Sequence, residues 1–257
     1  MSPAQTASLM EIPGATHARS GLSTRAECCA SIGWNYTQQF AAAIETDQAA
    51  NAATALFTSH GYFVAPQSPL KGWSKPVWET EWAPFGFQPW DPAWDEGSPS
   101  SGFTWAQNIY KGLTAANLGA FLYLWGASMS GLTGPNTGLV EVKGNTVATS
   151  ARLWAFASYS RFIRPGAVRI GTTTSDVGLE TSAFRNSDGS AAVIVLNSAH
   201  SRQAATFSLR GLSGAYVTPY LTDTSHQLSA QSPITVRNSA FTATLPPRSL
   251  VTYDIRS

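Results

Sequence analysis

The chain has 257 residues, enough for one large domain or two small ones with a full hydrophobic core. Only 12% of the residues are charged and the formal net charge is +1, so neither nucleic acid nor an anionic membrane surface is expected as a partner. Nine Trp and eight Tyr offer aromatic faces of the kind that stack on sugar rings, although most of them are expected in the core.

The beginning of the chain, residues 1–25, matches no recognisable pattern and is left unassigned. It lacks the charged-then-apolar pattern of a secretory signal, and no apolar run reaches the roughly 18 residues that cross a bilayer. As written, the chain is expected to stay in the cytosol. In contrast, the sequon Asn35-Tyr36-Thr37 and the weakly charged, Ser- and Thr-rich composition are typical of a secreted protein.

The two cysteines, Cys28 and Cys29, are adjacent in the sequence. Because ordinary disulfide geometry needs more widely separated backbones, they are expected not to bond to each other and to find partners outside this chain. The four His lie far apart, without paired Cys or acids at ligand spacing. No metal site is therefore expected.

Helices and strands are predicted to alternate over the first two thirds of the chain. Helices are predicted over 36–50, 104–118 and 148–163, and strands over 56–58, 77–82 and 120–125. The Gly-, Thr- and Asn-rich loop 131–144 is predicted to contain neither helix nor strand. Such alternation is typical of an α/β barrel or a doubly wound sheet.

The pattern changes after Arg164-Pro165-Gly166, where short strands follow one another between turns. Strands are predicted over 191–196, 204–209, 217–221, 241–245 and 250–255, an arrangement that favours an antiparallel β-sandwich or half of one. The predicted domains are therefore 26–164, of the α/β type, and 165–257, the β-sandwich.

The pentapeptide Trp78-Glu79-Thr80-Glu81-Trp82 places two carboxylates on a predicted strand. Side chains alternate along a strand, so Glu79 and Glu81 would share one face about 7 Å apart. Two carboxylates facing an enclosed space tend to separate their pKa values, which suits nucleophilic or acid/base chemistry. The alternative is a solvated edge strand with two ordinary surface acids, and the pentapeptide alone does not decide between them.

Three further residues stand with Glu81 at the ends of predicted strands. In a parallel barrel, catalytic groups come from the carboxyl ends of different strands, a position held by His60, Tyr62, Glu81 and Trp125. Together they describe a sugar-binding subsite in which an indole stacks on the ring and a carboxylate attacks the anomeric carbon. Taken singly, each has a plainer explanation: His60 could cap a strand, and Tyr62 and Trp125 could be packing residues.

Several of these segments resemble the later part of the catalytic barrel of glycoside hydrolase family 30. The resemblance rests on His60-Gly61-Tyr62, Lys75-Pro76-Val77-Trp78-Glu79-Thr80-Glu81, Phe103-Thr104-Trp105-Ala106 and Tyr123-Leu124-Trp125-Gly126. It also rests on Arg152-Leu153-Trp154-Ala155-Phe156, on Tyr159-Ser160-Arg161-Phe162-Ile163-Arg164-Pro165-Gly166 and on Leu245-Pro246-Pro247-Arg248-Ser249. It implies the later βα units of a partial (β/α)8 TIM barrel followed by a side β-sandwich.

The resemblance also implies a function and a set of roles. It implies a secreted, monomeric, retaining β-glycanase of the fungal type that needs no cofactor and acts on plant β-1,4-xylan or β-1,6-galactan. Glu81 would be the nucleophile at the end of the seventh barrel strand. Glu79 has no fixed counterpart in the family motif and is interpreted as a polar residue deeper in the strand that could tune Glu81. His60, Tyr62, Trp82 and Trp125 would bind the substrate.

The sequence departs from the family pattern in one respect. A retaining mechanism needs a second carboxylic acid about 5 to 5.5 Å from the nucleophile, and the family carries it in an Asn-Glu-Pro-like motif on the fourth barrel strand. No Asn-Glu pair occurs in this sequence. The chain is therefore expected to be a truncated form with little or no turnover, and its open barrel edges are expected to make it unstable or prone to aggregation.

Two other functions remain open from the sequence. The chain could be a non-catalytic carbohydrate-binding protein, which would bind a glycan without releasing reducing ends. It could also be a structural β-sandwich module with a vestigial α/β region, which would have no glycan affinity.

Overall fold

The computed structural model describes residues 1–84, 89–129, 137–212 and 214–256. The chain forms two compact units, one from Met1–Phe87 and Asn108–Gly126 and the other from Gln88–Gln107 and Ala127–Ser257. These units group residues by packing and not by order along the chain, and the boundary at residue 165 stays a prediction. No helix in the described part of the chain is long and apolar enough to cross a membrane.

The first unit is built on a four-stranded parallel sheet whose strands lie side by side in chain order. The strands are β1 (Ala26–Ser31), β2 (Thr54–His60), β3 (Val77–Trp82) and β4 (Ala120–Tyr123). The helices are α1 (Pro3–Ser20), α2 (Trp34–Thr46), α3 (Gln48–Ala53) and α4 (Gly102–Thr114), of which α4 begins in the second unit and ends in the first. Consecutive strands of a (β/α)8 barrel are also parallel and lie side by side in chain order.

The core of this unit lies between the helices and one face of the sheet. Ile44 on α2, Ala50 on α3 and Phe57 on β2 are fully buried in one cluster, and Val77 at the start of β3 joins them. This packing holds β2 and β3 in fixed register, with Ser59 opposite Glu79 and His60 opposite Glu81. The carboxyl ends of these two strands therefore meet at one edge of the sheet.

The unassigned segment 1–25 contains the helix α1, Pro3–Ser20. Ser2 caps it: its hydroxyl accepts the amide hydrogen of Gln5, and the Gln5 side chain accepts that of Ser2. Such a reciprocal capping box, followed by Pro3 in the first turn, is a recognisable helix start, so the signal was present in the sequence.

The expectation that Cys28 and Cys29 do not bond to each other is wrong. The structure joins them in a disulfide across a cis peptide bond, within β1. Their Cα atoms lie 3.0 Å apart, although the expectation rested on the wider backbone separation of ordinary disulfides.

The second unit contains helix α5 (Ala151–Ser160) and three sheets. A three-stranded sheet contains β5 (Ala127–Met129), β6 (Val140–Lys143) and β7 (Thr146–Thr149). A seven-stranded sheet contains β8 (Val168–Ile170), β9 (Leu179–Arg185), β10 (Ala191–Asn197), β12 (Tyr216–Thr222), β13 (Ser229–Ala230), β14 (Ile234–Thr235) and β16 (Ser249–Arg256), and a third sheet pairs β11 (Gln203–Ser208) with β15 (Ala240–Leu245).

These last two sheets share one apolar core. Val195 on β10 and Val217 on β12 are fully buried in one cluster with Leu245 on β15. The rings of Phe207 on β11 and Tyr253 on β16 lie 5.0 Å apart between centroids. Antiparallel pairing within both sheets and the shared core make this region a β-sandwich.

Two local predictions between the strands were wrong. The predicted helix 148–163 begins at Ala151, because the β-branched segment Thr146–Thr149 pairs with β6 as a strand. The predicted loop 131–144 contains that partner strand, Val140–Lys143, while residues 131–136 lie outside the described part of the chain.

Candidate active site

The predicted site residues of the first unit follow the carboxyl ends of β2, β3 and β4. His60 ends β2 opposite Glu81 on β3, and Trp82 pairs with Tyr123 at the end of β4. Tyr62 follows β2 by two residues, and Trp125 follows β4 by two residues. Parallel pairing thus gathers side chains from three strands at one edge of the sheet.

Glu81 is the centre of this group. The Tyr62 hydroxyl donates a hydrogen bond to Glu81 Oε1 over 3.1 Å, and His60 Nδ1 lies 3.8 Å from the same oxygen. The imidazole of His60 meets the Tyr62 ring edge-on, with centroids 6.0 Å apart. The Glu81 side chain keeps 37% of its surface exposed, so a substrate in the open space can reach it.

Tyr62 is held in its neutral form. Burial raises the pKa of its phenol, and the hydrogen bond to Glu81 and the negative charges of Glu81 and Glu79 raise it further. Tyr62 therefore remains a hydrogen-bond donor to the carboxylate over the whole physiological pH range. A phenol in this position fixes one carboxylate oxygen and leaves the other for chemistry.

Glu79 lies in a different environment from Glu81 although the two are separated by one residue. Its side chain is fully buried in β3, between β2 and β4. Burial raises the pKa of its carboxyl to about 9, against the backbone amides of Glu81 and Gly61, which favour the charged form. The alternative of a solvated edge strand with two surface acids is therefore excluded.

The two tryptophans assigned to substrate binding differ in exposure. The Trp82 ring stacks on Phe121 with centroids 5.8 Å apart, and a Cβ atom at Gly61 would collide with the same indole ring. Trp125 is 47% exposed, so its indole offers a free apolar surface. Of the two, Trp125 has the exposure that stacking on a sugar ring requires.

Tyr123 is a site residue to which sequence reasoning gave no role. It lies at the end of β4 and its electrostatic effect contributes to the raised pKa of Tyr62, which places it close to the phenol. The available signal was its position two residues before Trp125, on a strand parallel to β3.

Among the described residues, no cluster of His, Cys, Asp and Glu could hold a metal ion.

The β-sandwich matches a known family model. Residues 166–253 match the glycosyl hydrolase family 30 beta sandwich domain. A stretch of 105 residues, 40% of this chain, is 30% identical to the glucuronoxylanase XynC of Bacillus subtilis and covers 25% of that protein.

Solved structures match the whole chain. The catalytic domain of GH30 xylanase C from Talaromyces cellulolyticus is 36% identical with a TM-score of 0.90, and the match covers all of this chain and 58% of that one. A GH30 endoxylanase from Clostridium papyrosolvens C71 is 21% identical with a TM-score of 0.80, and the match covers all of this chain and 61% of that one. At this identity the match shows a common fold. The chain thus spans less than two thirds of these relatives.

These matches confirm the predicted fold class, a partial (β/α)8 barrel with an antiparallel β-sandwich. The sandwich match, the full coverage by a family 30 xylanase structure and the site segments all point to the same family. The comparisons therefore confirm the resemblance to glycoside hydrolase family 30.

Proposed function

We propose that this chain carries the nucleophile and part of the sugar-binding surface of a secreted, retaining β-glycanase. The observation that supports the proposal most is the accessible Glu81 carboxylate, with the Tyr62 phenol donating to one of its oxygens and His60 beside it. The preferred substrate is β-1,4-xylan, because the relatives are named as xylanases. β-1,6-Galactan is the second candidate.

The proposed reaction begins with attack of Glu81 on the anomeric carbon. A bond forms between a Glu81 oxygen and this carbon. The bond from the carbon to the leaving oxygen breaks, and the leaving oxygen keeps the electron pair. His60 and Tyr62 bind hydroxyl groups of the sugar beside Glu81, and the exposed Trp125 indole stacks on a sugar ring. Water then hydrolyses the glycosyl ester, so the product keeps the β configuration.

The second carboxylic acid of the mechanism is proposed to lie outside these 257 residues. A leaving sugar needs a proton from an acid about 5 to 5.5 Å from the nucleophile. Glu79 is fully buried, so it does not supply that acid at the accessible face. The Asn-Glu pair that would supply it does not occur in the sequence. We therefore expect little or no hydrolysis of natural polysaccharide by this chain.

Covalent trapping tests the nucleophile without the acid. A 2-deoxy-2-fluoro-β-xylobioside with a dinitrophenyl leaving group should label the purified chain, because dinitrophenolate departs without protonation. Peptide mass spectrometry is expected to find the disaccharide on Glu81, and Glu81→Gln should abolish the label, since an amide is a poor nucleophile.

The control for this experiment is Glu96→Gln, the same substitution at an exposed position of the second unit. Glu96→Gln should be labelled as fully as the unsubstituted chain. A label on another residue would contradict the assignment of Glu81 as the nucleophile. No label while xylo-oligosaccharides still bind would contradict the proposed hydrolase and favour a carbohydrate-binding protein.

Tyr62→Phe is expected to slow the labelling of Glu81 by about tenfold, because the lost hydrogen bond no longer fixes the attacking carboxylate. The rate of adduct formation, followed by intact mass, measures the effect. Tyr216→Phe is the matched control, since Tyr216 is an exposed tyrosine of the second unit. Equal rates for the two variants would mean that Tyr62 does not position the nucleophile.

A further inference from the structure

Glu79 is a buried carboxyl to which the proposed reaction gives no role. Its side chain has no exposed surface, and its register partners are Ser59 on β2 and Phe121 on β4. A glutamate in the middle of a parallel sheet is costly when charged, because burial in low dielectric disfavours the ionised form. Because Glu79 lies two residues before Glu81 on the same strand, its burial calls for a chemical explanation.

The hydrogen bonds of Glu79 distinguish its two oxygens. Oε1 accepts the backbone amide hydrogen of Glu81 over 3.3 Å. Oε2 is buried and, within the described part of the chain, has no hydrogen-bond partner. The backbone amides of Glu81 and Gly61 favour the ionised carboxylate, but burial opposes it more strongly. A neutral acid can carry its proton on Oε2 and keep Oε1 as the acceptor for the Glu81 amide.

The ionisable groups around Glu79 do not stabilise a second negative charge. Glu81 follows on the same strand, His60 and Tyr62 come from the end of β2, and Tyr123 comes from the end of β4. Among the described residues, no lysine or arginine forms an ion pair with Glu79. The nearby carboxylate is of like charge and opposes ionisation of Glu79.

We propose that Glu79 is a positioning residue, a neutral carboxylic acid that holds the backbone of the nucleophile in place through the amide of Glu81. Because it is neutral, it adds no second negative charge to the site, so the carboxylate that attacks the sugar is not opposed by a charged neighbour. The proton of Glu79 is not transferred in the reaction. This inference rests on the proposed role of Glu81.

The raised pKa of Glu79 agrees with this geometry. Burial makes the largest contribution, and the charge of Glu81 adds to it, giving a value of about 9. At neutral pH Glu79 is then protonated and buried. Glu81 is partly exposed, so the two carboxyls of one strand have different roles. Environment, and not residue type, separates them.

The direct test is a carbon-13 NMR titration of the chain labelled at the glutamate carboxyl carbon. One resonance is expected to stay at the protonated position through neutral pH and to titrate near pH 9, and it should be missing from Glu79→Gln. In Glu81→Gln the same resonance should titrate at lower pH, because the neighbouring negative charge is gone. A Glu79 resonance that titrates near the ordinary value overturns the inference.

Two further readouts keep the test decisive. If Glu79→Gln does not fold, the unsubstituted chain alone decides, since the absence of any protonated glutamate at pH 7 overturns the inference. Where it folds, Glu79→Ala should be labelled by the fluorosugar about tenfold more slowly than Glu79→Gln, because only Gln keeps an acceptor for the Glu81 amide. Equal rates overturn the positioning role, whereas failure to label Glu81 at all overturns the proposed function and leaves the NMR result standing.

Discussion

Replacement of Glu79 by Gln is expected to stabilise the protein increasingly as the pH rises from about 4.5 to about 9. The folded-state pKa of Glu79 is about 9, above its ordinary value of 4.5, so between these limits the folded chain holds a proton that the unfolded chain has released. Stability falls with rising pH wherever the folded state binds more protons. The free energy of unfolding should thus lose about 1.4 kcal/mol per pH unit through this residue.

The measurement is urea unfolding of the chain and of Glu79→Gln at a series of pH values. Near pH 4.5 the two proteins should differ little, because Glu79 is neutral in the folded state and only half ionised in the unfolded state. The gap should widen to several kcal/mol by pH 8 and level off above pH 9.

Glu11→Gln serves as the control, since Glu11 is exposed on helix α1 in the same unit. It should leave the pH profile of the unsubstituted chain unchanged. A constant difference between Glu79→Gln and the unsubstituted chain across this range would mean that Glu79 is ionised in the folded protein.

Among the strands that sequence patterns predicted, β10 carries the strongest signal, a continuous apolar run. β10 has the sequence Ala-Ala-Val-Ile-Val-Leu-Asn and is buried along its whole length. β9 was not predicted, because polar side chains such as Glu180, Thr181 and Ser182 break the apolar pattern even though the strand is the direct neighbour of β10. Its strand state depends on this pairing, which is a long-range property.

The candidate site was predictable in its members and not in their environments. Strand alternation and the order of the parallel strands bring His60, Tyr62 and Glu81 together, and both features are visible in the sequence. The same alternation assigns Glu79 and Glu81 to one face and does not distinguish them. Their difference arises from depth in the sheet, since Glu79 lies within β3 between β2 and β4 and is fully buried, while Glu81 lies near the end of β3 and is 37% exposed.

Arg152→Ala is expected to destabilise the second unit by on the order of 3 kcal/mol or more. Arg152 is fully buried on α5, where Nη1 donates to the carbonyls of Asp91 and Ser100 over 2.8 and 2.5 Å and Nη2 donates to the Gly138 carbonyl over 3.1 Å. Each buried acceptor left without a partner costs about 1–3 kcal/mol, and the missing side chain leaves a cavity.

The matched control is Arg256→Ala, which removes an arginine that is 78% exposed and pairs with Asp254 at 2.8 Å. Exposed ion pairs contribute about 1 kcal/mol or less, so this variant should unfold close to the unsubstituted chain. Urea unfolding of both variants gives the comparison. Equal losses of stability would mean that the three carbonyls find other donors, and that α5 does not depend on Arg152 to hold the segments around Asp91, Ser100 and Gly138.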